Sequence, residues 1–328
     1  FNDKHNINAM VGQEMSENHW ETQESRATGY LSNSAQDPSA GGQVDGSGYQ
    51  DNSSILSYFG RAFYSFADRY LLTATIRRDG SSKFAKNNRW GWFPSAALAW
   101  KASNETFLKD NPIINNLKIR LGWGTTGNQN VQDWAYIALL ATKNTPWGNG
   151  VLNGNTANPD LKWETTYSTN LGLDLNLFDN RIEFIADFYY KKTKDMLQVA
   201  LPAFLGSSGQ GAASNPWSNI GSLENKGVEL TLNTVNIDTK DFQWRSNFVF
   251  SLNRNKVVEM DTETGSLPYS LQVGSDTQTV TNSVAGKPIA QFWGYKVIGR
   301  FDEPTDFYYT DANGAVKEVA RPINQGIA

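Results

Sequence analysis

The stretch NLGLDLNLFDNRIEFIADFYYKKTKDML, Asn170 to Leu197, decides how the chain folds. Leu171, Leu173, Leu175 and Leu177 alternate with Asn170, Gly172, Asp174 and Asn176. After Asp179-Asn180 the alternation restarts, with Ile182, Phe184, Ala186, Phe188 and Tyr190 on one side and Arg181, Glu183, Asp187 and Lys191 on the other. A side-chain period of two is that of a β-strand, and Asp-Asn between two such arms is a turn signal. Each arm runs well past the usual strand of about 5–6 residues. An apolar face of that length must rest on a protein core or on lipid.

Composition narrows the choice. The formal charge is -4, from 29 basic and 33 acidic residues, so there is no basic footprint for nucleic acid. The longest apolar run lies near residues 135–141, far short of the ~20 residues a spanning helix needs. Low overall hydrophobicity does not exclude a membrane barrel, because half of every barrel strand faces a polar lumen. With no cysteine, neither disulfides nor thiolate metal sites can form. No signal peptide opens the chain and no terminating signal closes it, so both ends read as cuts through a longer protein.

Outward from the opening stretch, the same alternation recurs in about nine long strands. They are expected near residues 6–13, 57–66, 69–78, 92–101, 116–125, the two arms already quoted, 228–237, 242–253 and, last, a strand-like region at 291–301. Ser103-Asn104-Glu105 is a candidate cap for a short helical turn. Connections at 67–68, 178–180 and 238–241 are tight and that at 102–115 is medium. Those at 14–56, 79–91, 126–161, 197–222 and 259–285 are long and rich in Gly, Ser, Asn and Thr. Antiparallel strands alternate direction, so tight turns fall at one end and long loops at the other, the asymmetry of outer-membrane barrels. A soluble β-sandwich also alternates apolar and polar residues, and it is strand length and loop asymmetry that favour the barrel. Aromatics near strand ends, such as Tyr58, Tyr64, Phe66, Trp92, Phe93, Trp100, Tyr189, Tyr190, Phe242 and Trp244, suit an interfacial girdle. On this reading Leu171, Leu173, Leu175, Ile182, Phe184 and Phe188 face lipid.

An ordered set of motifs adds to this reading. WFPSAALAW at 92–100, LKIRLGWGTTGNQN at 117–130, the run from NPDLKWE to KKTKDML at 158–197, GSLENKGVELTL at 221–232 and GKPIAQFWGYKVIGRF at 286–301 follow one another. Together they resemble SusC/RagA-type TonB-dependent outer-membrane transporters over nearly the whole chain. The resemblance implies an all-β fold, an antiparallel transmembrane barrel of about 22 strands closed by a plug. Residues 1–328 would be a middle portion of that barrel, without the plug domain, the TonB-coupling segment or the remaining strands. It further implies import of oligosaccharides or peptides, a SusD-like surface lipoprotein as partner, the TonB complex as energy source, and no enzyme activity. Locally, Asn158-Pro159-Asp160 punctuates a loop-to-strand passage, Trp163 is expected at the interface, Gly227 at a bend or bulge, and Asn180 in a tight turn.

Catalytic chemistry finds little support. His5 and His19 are the two histidines, and neither lies in a nucleophile motif. GSSGQGAA at 206–213 lacks a following helix and reads as a mobile loop, not a phosphate cradle. Asp306, Asp311 and Asn313 miss calcium-loop spacing, and Asn313-Gly314 reads as a hairpin turn. Carboxylates are plentiful, but nothing singles out a glycosidase pair. No cofactor, metal or catalytic residue is therefore expected. The candidate ligand contacts are loop aromatics, Trp134, Tyr136, Trp147 and Trp217, whose flat rings stack on sugar faces and peptide side chains; self-packing of the loops or contact with a partner lipoprotein is the alternative. Two other functions stay open at this point, a secreted carbohydrate-binding or hydrolytic β-domain and a passive porin.

Overall fold

The computed structural model describes residues 4–34, 37–199, 215–262, 265–295, 308–311 and 313–318. Its strands, in chain order, begin with β1 (His5–Thr28), β2 (Gln43–Phe66), β3 (Tyr70–Ser81), β4 (Trp90–Lys101) and β5 (Ile114–Asn128). A short hairpin, β6 (Leu140–Thr145) and β7 (Gly148–Asn153), precedes β8 (Glu164–Leu177) and β9 (Ile182–Lys194). Short β10 (Leu197–Val199) and β11 (Trp217–Asn219) lead to β12 (Ser222–Asp238) and β13 (Gln243–Glu259). Then come β14 (Ser266–Val273), β15 (Asp276–Val284), β16 (Gln291–Phe292), β17 (Tyr308–Thr310) and β18 (Val316–Glu318).

Nine strands form one antiparallel sheet in the order β1-β2-β3-β4-β5-β8-β9-β12-β13. The expected alternation is realised as continuous rows. Opposed residues in an antiparallel pair lie on the same face, so Tyr64, Leu72, Leu98, Leu121, Leu171, Phe188, Val228 and Leu252 form one row across eight strands. Leu173, Ala186, Leu230 and Phe250 continue the next row, and Leu175, Phe184, Leu232 and Phe248 the one after. No second layer covers this face among the described residues: Leu171 and Phe188 are each 48% exposed and Leu98 53%. The other face carries Arg77, Arg120, Asp174, Asp187 and Glu229.

Tight connections at 67–69 and 178–181 use left-handed backbone, at Ala67 and Asp68 (φ 53° each) and at Phe178, Asp179 and Asn180 (φ 54–61°). Asn176 donates to Asn180 across the second of these turns at 3.0 Å, the local bond expected of a short polar turn residue. With 239–242 and the medium segment 102–113 they mark one end of the sheet; 29–42, 82–89, 129–163 and 195–221 mark the other.

Several expectations are revised. The segment 14–56 is mostly strand, since β1 and β2 pair from His5↔Phe66 to Thr28↔Gln43 while β3 meets β2 only up to Ile55. Ser, Thr, Gln, Glu and Asn occupy both sides of that ribbon, so no hydrophobic period announced it; its backbone ladder extends one the sheet has already started. Likewise 126–161 contains hairpin β6–β7 and 259–285 contains hairpin β14–β15. The register runs through Gly227 without a break, and the irregularities on β12 fall between Ser222 and Leu223 and between Val235 and Ile237. Residues 102–104 form a 3₁₀ turn with Glu105 at its C-cap, not its start. Of the strand expected at 291–301, Gln291–Phe292 is observed and 296–301 lies outside the described residues, as does the glycine-rich loop 206–213. The turn at Asn313-Gly314 is present, with Tyr308–Thr310 paired to Val316–Glu318 and Gly314 at φ 80°.

The chain divides into two compact units. The larger, residues 1–267 with 282–291, holds the nine-stranded sheet. The smaller, 268–281 with 292–328, holds most of hairpin β14–β15 and the β17–β18 hairpin.

Candidate functional site: the polar face and its loop roof

Ion pairs laid across strands organise the polar face. Arg120 on β5 grips Asp174 on β8 through Nε (3.0 and 3.1 Å) and Nη2 (2.8 Å), then reaches Asp187 on β9 through Nη2 at 3.1 Å. Gly172 lies between them in the row Arg120–Gly172–Asp187. A Cβ there would stand 2.5 Å from the guanidinium carbon, so this glycine makes the seat on which the cation lies. A groove of about 510 Å³ beside it is lined by Arg120, Asp187, Tyr189, Lys191, Glu229 and Asn253. Gly227 is a second such seat, since a Cβ would strike the Tyr189 ring and the Leu252 carbonyl. The Tyr189 hydroxyl donates to Asn253 at 3.0 Å. This is why Gly227 sits mid-strand without a bulge. A further node joins Arg77 to Asp79 (2.6 Å), Glu14 (2.9 Å) and the fully buried Ser57 (2.8 Å).

At the long-loop end the loops build a small core from Phe84, Phe93, Val131, Ala135, Leu161, Trp163 and Leu197. Trp163, expected at an interface, is 7% exposed and wedged between Phe84 and Phe93 at ring distances of 5.4 and 5.3 Å. Its indole N–H donates to the Arg89 carbonyl at 2.8 Å, so its polar atom is satisfied by backbone instead of by a headgroup. Phe93, also assigned to a girdle, points to the polar face, and Gly91 and Gly127 leave the room its ring fills. The girdle residue next to it, Trp92, is 58% exposed on the apolar side, where Arg78 lies over Trp90 and Trp92 at 4.7 and 5.1 Å. Asn158 accepts from the Asp160 N–H at 3.1 Å, the punctuation its sequence announced.

Beside this core, Lys83 Nζ pairs with Asp133 at 3.1 Å and donates to the Val131 carbonyl at 2.8 Å.

The structure gathers some of the expected ligand-contact residues and separates others. Trp134, in left-handed backbone (φ 63°), and Tyr136 sit with ring centroids 6.5 Å apart. Trp217, on β11, packs against the loop core and donates to Gln132 at 3.4 Å, which brings it to the same loop. Trp147 lies at the turn of hairpin β6–β7 and is 93% exposed. Alternation had placed Asp174 and Asp187 on the polar side, but their joining through Arg120 into one network depends on a register that alternation does not carry. Among the described residues no group of three or more His, Asp or Glu side chains could hold a metal.

Comparison with known proteins accords with this geometry. The family profile described as "TonB dependent receptor-like, beta-barrel" matches residues 2–322. The chain is 40% identical over 259 residues to TonB-dependent receptor P3 of Formosa agariphila, 77% of this chain and 25% of that protein. It is 38% identical over 283 residues to TonB-dependent receptor SusC of Bacteroides thetaiotaomicron, 81% of this chain and 27% of that protein. Among solved structures, the RagAB peptide transporter superposes with a TM-score of 0.74 at 28% identity, over 88% of this chain and 31% of that one. The chain thus spans about a quarter of the length of the curated relatives it matches. A match over nearly every residue, with relatives at this identity, means that the chain belongs to the TonB-dependent receptor β-barrel family of outer-membrane proteins, with SusC- and RagA-type members among its relatives.

Proposed function

We propose that residues 1–328 are a middle sector of the barrel wall of an energised importer. In the whole protein a plug domain, a TonB-coupling segment and further strands would complete a barrel of about 22 strands. The observation that carries it is the pair of faces of the nine-stranded sheet, one with an apolar row across eight strands and no second layer among the described residues, one polar and ion-paired. Leu171, Leu173, Leu175, Ile182, Phe184 and Phe188 face lipid, and the Arg120 and Arg77 nodes line the lumen. The cargo is an oligosaccharide or a peptide, the two classes the SusC/RagA-type motifs imply, and a similar solved structure is that of the RagAB peptide transporter. A SusD-like lipoprotein covers the long-loop end, and the TonB complex supplies energy through the plug. Trp134, Tyr136 and Trp217 present ring faces to cargo at the loop roof, with Trp147 as an outlying contact. The chain makes and breaks no covalent bond.

The test is uptake by the full-length protein in a strain lacking its own gene. Growth on a panel of glycans and peptides should be restored by the wild-type gene and abolished by loss of TonB. Trp134→Ala combined with Trp217→Ala should lower uptake at unchanged protein level in the outer membrane. Uptake that persists without TonB would leave a passive pore as the better account.

A further inference from the structure

A cluster of cations lies on the apolar side of the sheet, at its long-loop border. Rows above Leu171–Phe188–Val228–Leu252 read Thr169–Tyr190–Lys226–Arg254, then Tyr167–Lys192–Glu224–Lys256, with Lys194 paired to Ser222 above them. Side-chain contacts place these groups on one side: Tyr190 donates to Glu224 at 2.8 Å, Lys192 approaches Glu224 at 3.6 Å, and Lys194 lies 5.6 Å from the Tyr167 ring centre. Five cations, Lys192, Lys194, Lys226, Arg254 and Lys256, therefore share this patch with two carboxylates, Glu224 and, at the top in the Lys194–Ser222 row, Glu259. Lys226 and Arg254 are directly opposed across β12 and β13. Like charges in that position are destabilising, and no ion pair is present for either among the described residues.

Height fits a headgroup. From Leu177 to Thr169 the strand rises ~27 Å at ~3.4 Å per residue, which is ~21 Å of height at a tilt of ~40°. The Tyr167–Lys192–Glu224–Lys256 row comes at ~26 Å, the upper border of an apolar band ~25 Å tall. Directly below the cations an apolar groove of about 490 Å³ runs between Leu171, Phe188, Val228 and Leu252.

We propose that this patch is a specific seat for an acylated lipid with a net-negative phosphate headgroup in the loop-side leaflet. Its acyl chain lies in the groove, and its headgroup sits between Lys226, Arg254 and Lys256, relieving the Lys226–Arg254 opposition. Charge complementarity selects this occupant, since a peptide or a second copy of the chain would bring its own backbone donors and need no cation cluster at headgroup height. The proposal rests on the lipid-facing assignment of the apolar rows.

The experiment is native mass spectrometry of the full-length protein in detergent with phosphatidylglycerol or phosphatidylcholine of identical acyl chains. Wild type should retain phosphatidylglycerol preferentially. The combined variant Lys226→Gln, Arg254→Gln, Lys256→Gln should lose that preference by about tenfold or more, given the attraction of each cation for an anionic lipid surface. Lys191→Gln, at the same height on the polar face, should leave it unchanged. Equal retention of both lipids by wild type overturns the headgroup seat while leaving the lipid-facing reading intact, and that comparison needs no variant to fold. Retention of neither lipid sinks the lipid-facing reading itself.

Discussion

Gly172 shows how one missing Cβ organises three strands. Its row neighbours are Arg120 and Asp187, and the guanidinium lies over it to reach Asp174 and Asp187. Gly172→Val is expected to push the guanidinium off its seat and lower the stability of the full-length barrel by about 1–3 kcal/mol, the worth of a charged hydrogen-bonded group. The matched control is Gly122→Val on the same face of β5, where a Cβ meets nothing within 4 Å. Valine suits a strand, so that variant should be neutral. Denaturant unfolding in detergent compares the two, and an equal loss in both would show that the glycine is not a seat.

At the scale of the element, β9 carries the two faces in adjacent residues. Phe188 shares its row with Leu171 and Val228, and Tyr189 lies over Gly227 on the other side. Phe188→Arg should cost about 2–4 kcal/mol near the bilayer midplane, and Tyr189→Arg less, because water reaches the polar face. Folding of the full-length barrel into liposomes measures both, and the reverse order would mean the faces are exchanged. The tight-turn end carries a clamp that joins three elements. Glu105, beyond the 3₁₀ turn, accepts from Tyr70 Oη (2.7 Å), Trp100 Nε1 (3.1 Å) and Arg69 Nη1 (2.6 Å). These bonds, the Tyr70 hydroxyl foremost, hold its carboxyl below the ordinary range. A lowered folded-state pKa means that the stabilisation is complete above the unfolded value of about 4.3 and disappears as pH falls through the lower folded value. Glu105→Gln should therefore reduce stability at pH 7 and flatten its decline below about pH 4. An unchanged acid limb would show that the clamp carries no proton linkage.

Across the whole molecule, the sheet begins at β1 and ends at β13. The outer side of β1 presents a row of backbone donors and acceptors with no strand beside it among the described residues. Hydrocarbon leaves such groups unsatisfied, and water exposes them to other chains. Residues 1–328 produced alone are therefore expected to associate through their strand edges, while the full-length protein is expected to run as a compact, heat-modifiable barrel. Light scattering after detergent refolding distinguishes these outcomes; a stable monomer of the isolated sheet would contradict the edge argument.

Most of the strands, the two faces and the end bearing tight turns were legible in the residues themselves. A period of two and Asp, Asn and Gly at turns are local properties, imposed by backbone sterics on any strand that keeps one side apolar. The paired arms at Leu171–Leu177 and Ile182–Tyr190 needed nothing more. The polar halves of β1 and β2 were hidden because a ribbon with polar residues on both sides has no hydrophobic period. The burial of Trp163 and the gathering of Trp134, Tyr136 and Trp217 about one loop depended on chain segments brought together from afar. The reach of Arg120 to Asp187 likewise depended on cross-strand register. Alternation says which side of a strand a residue occupies, but which residue stands opposite it is settled only when the strands pair, and on that pairing the ion network and the cation patch both rest.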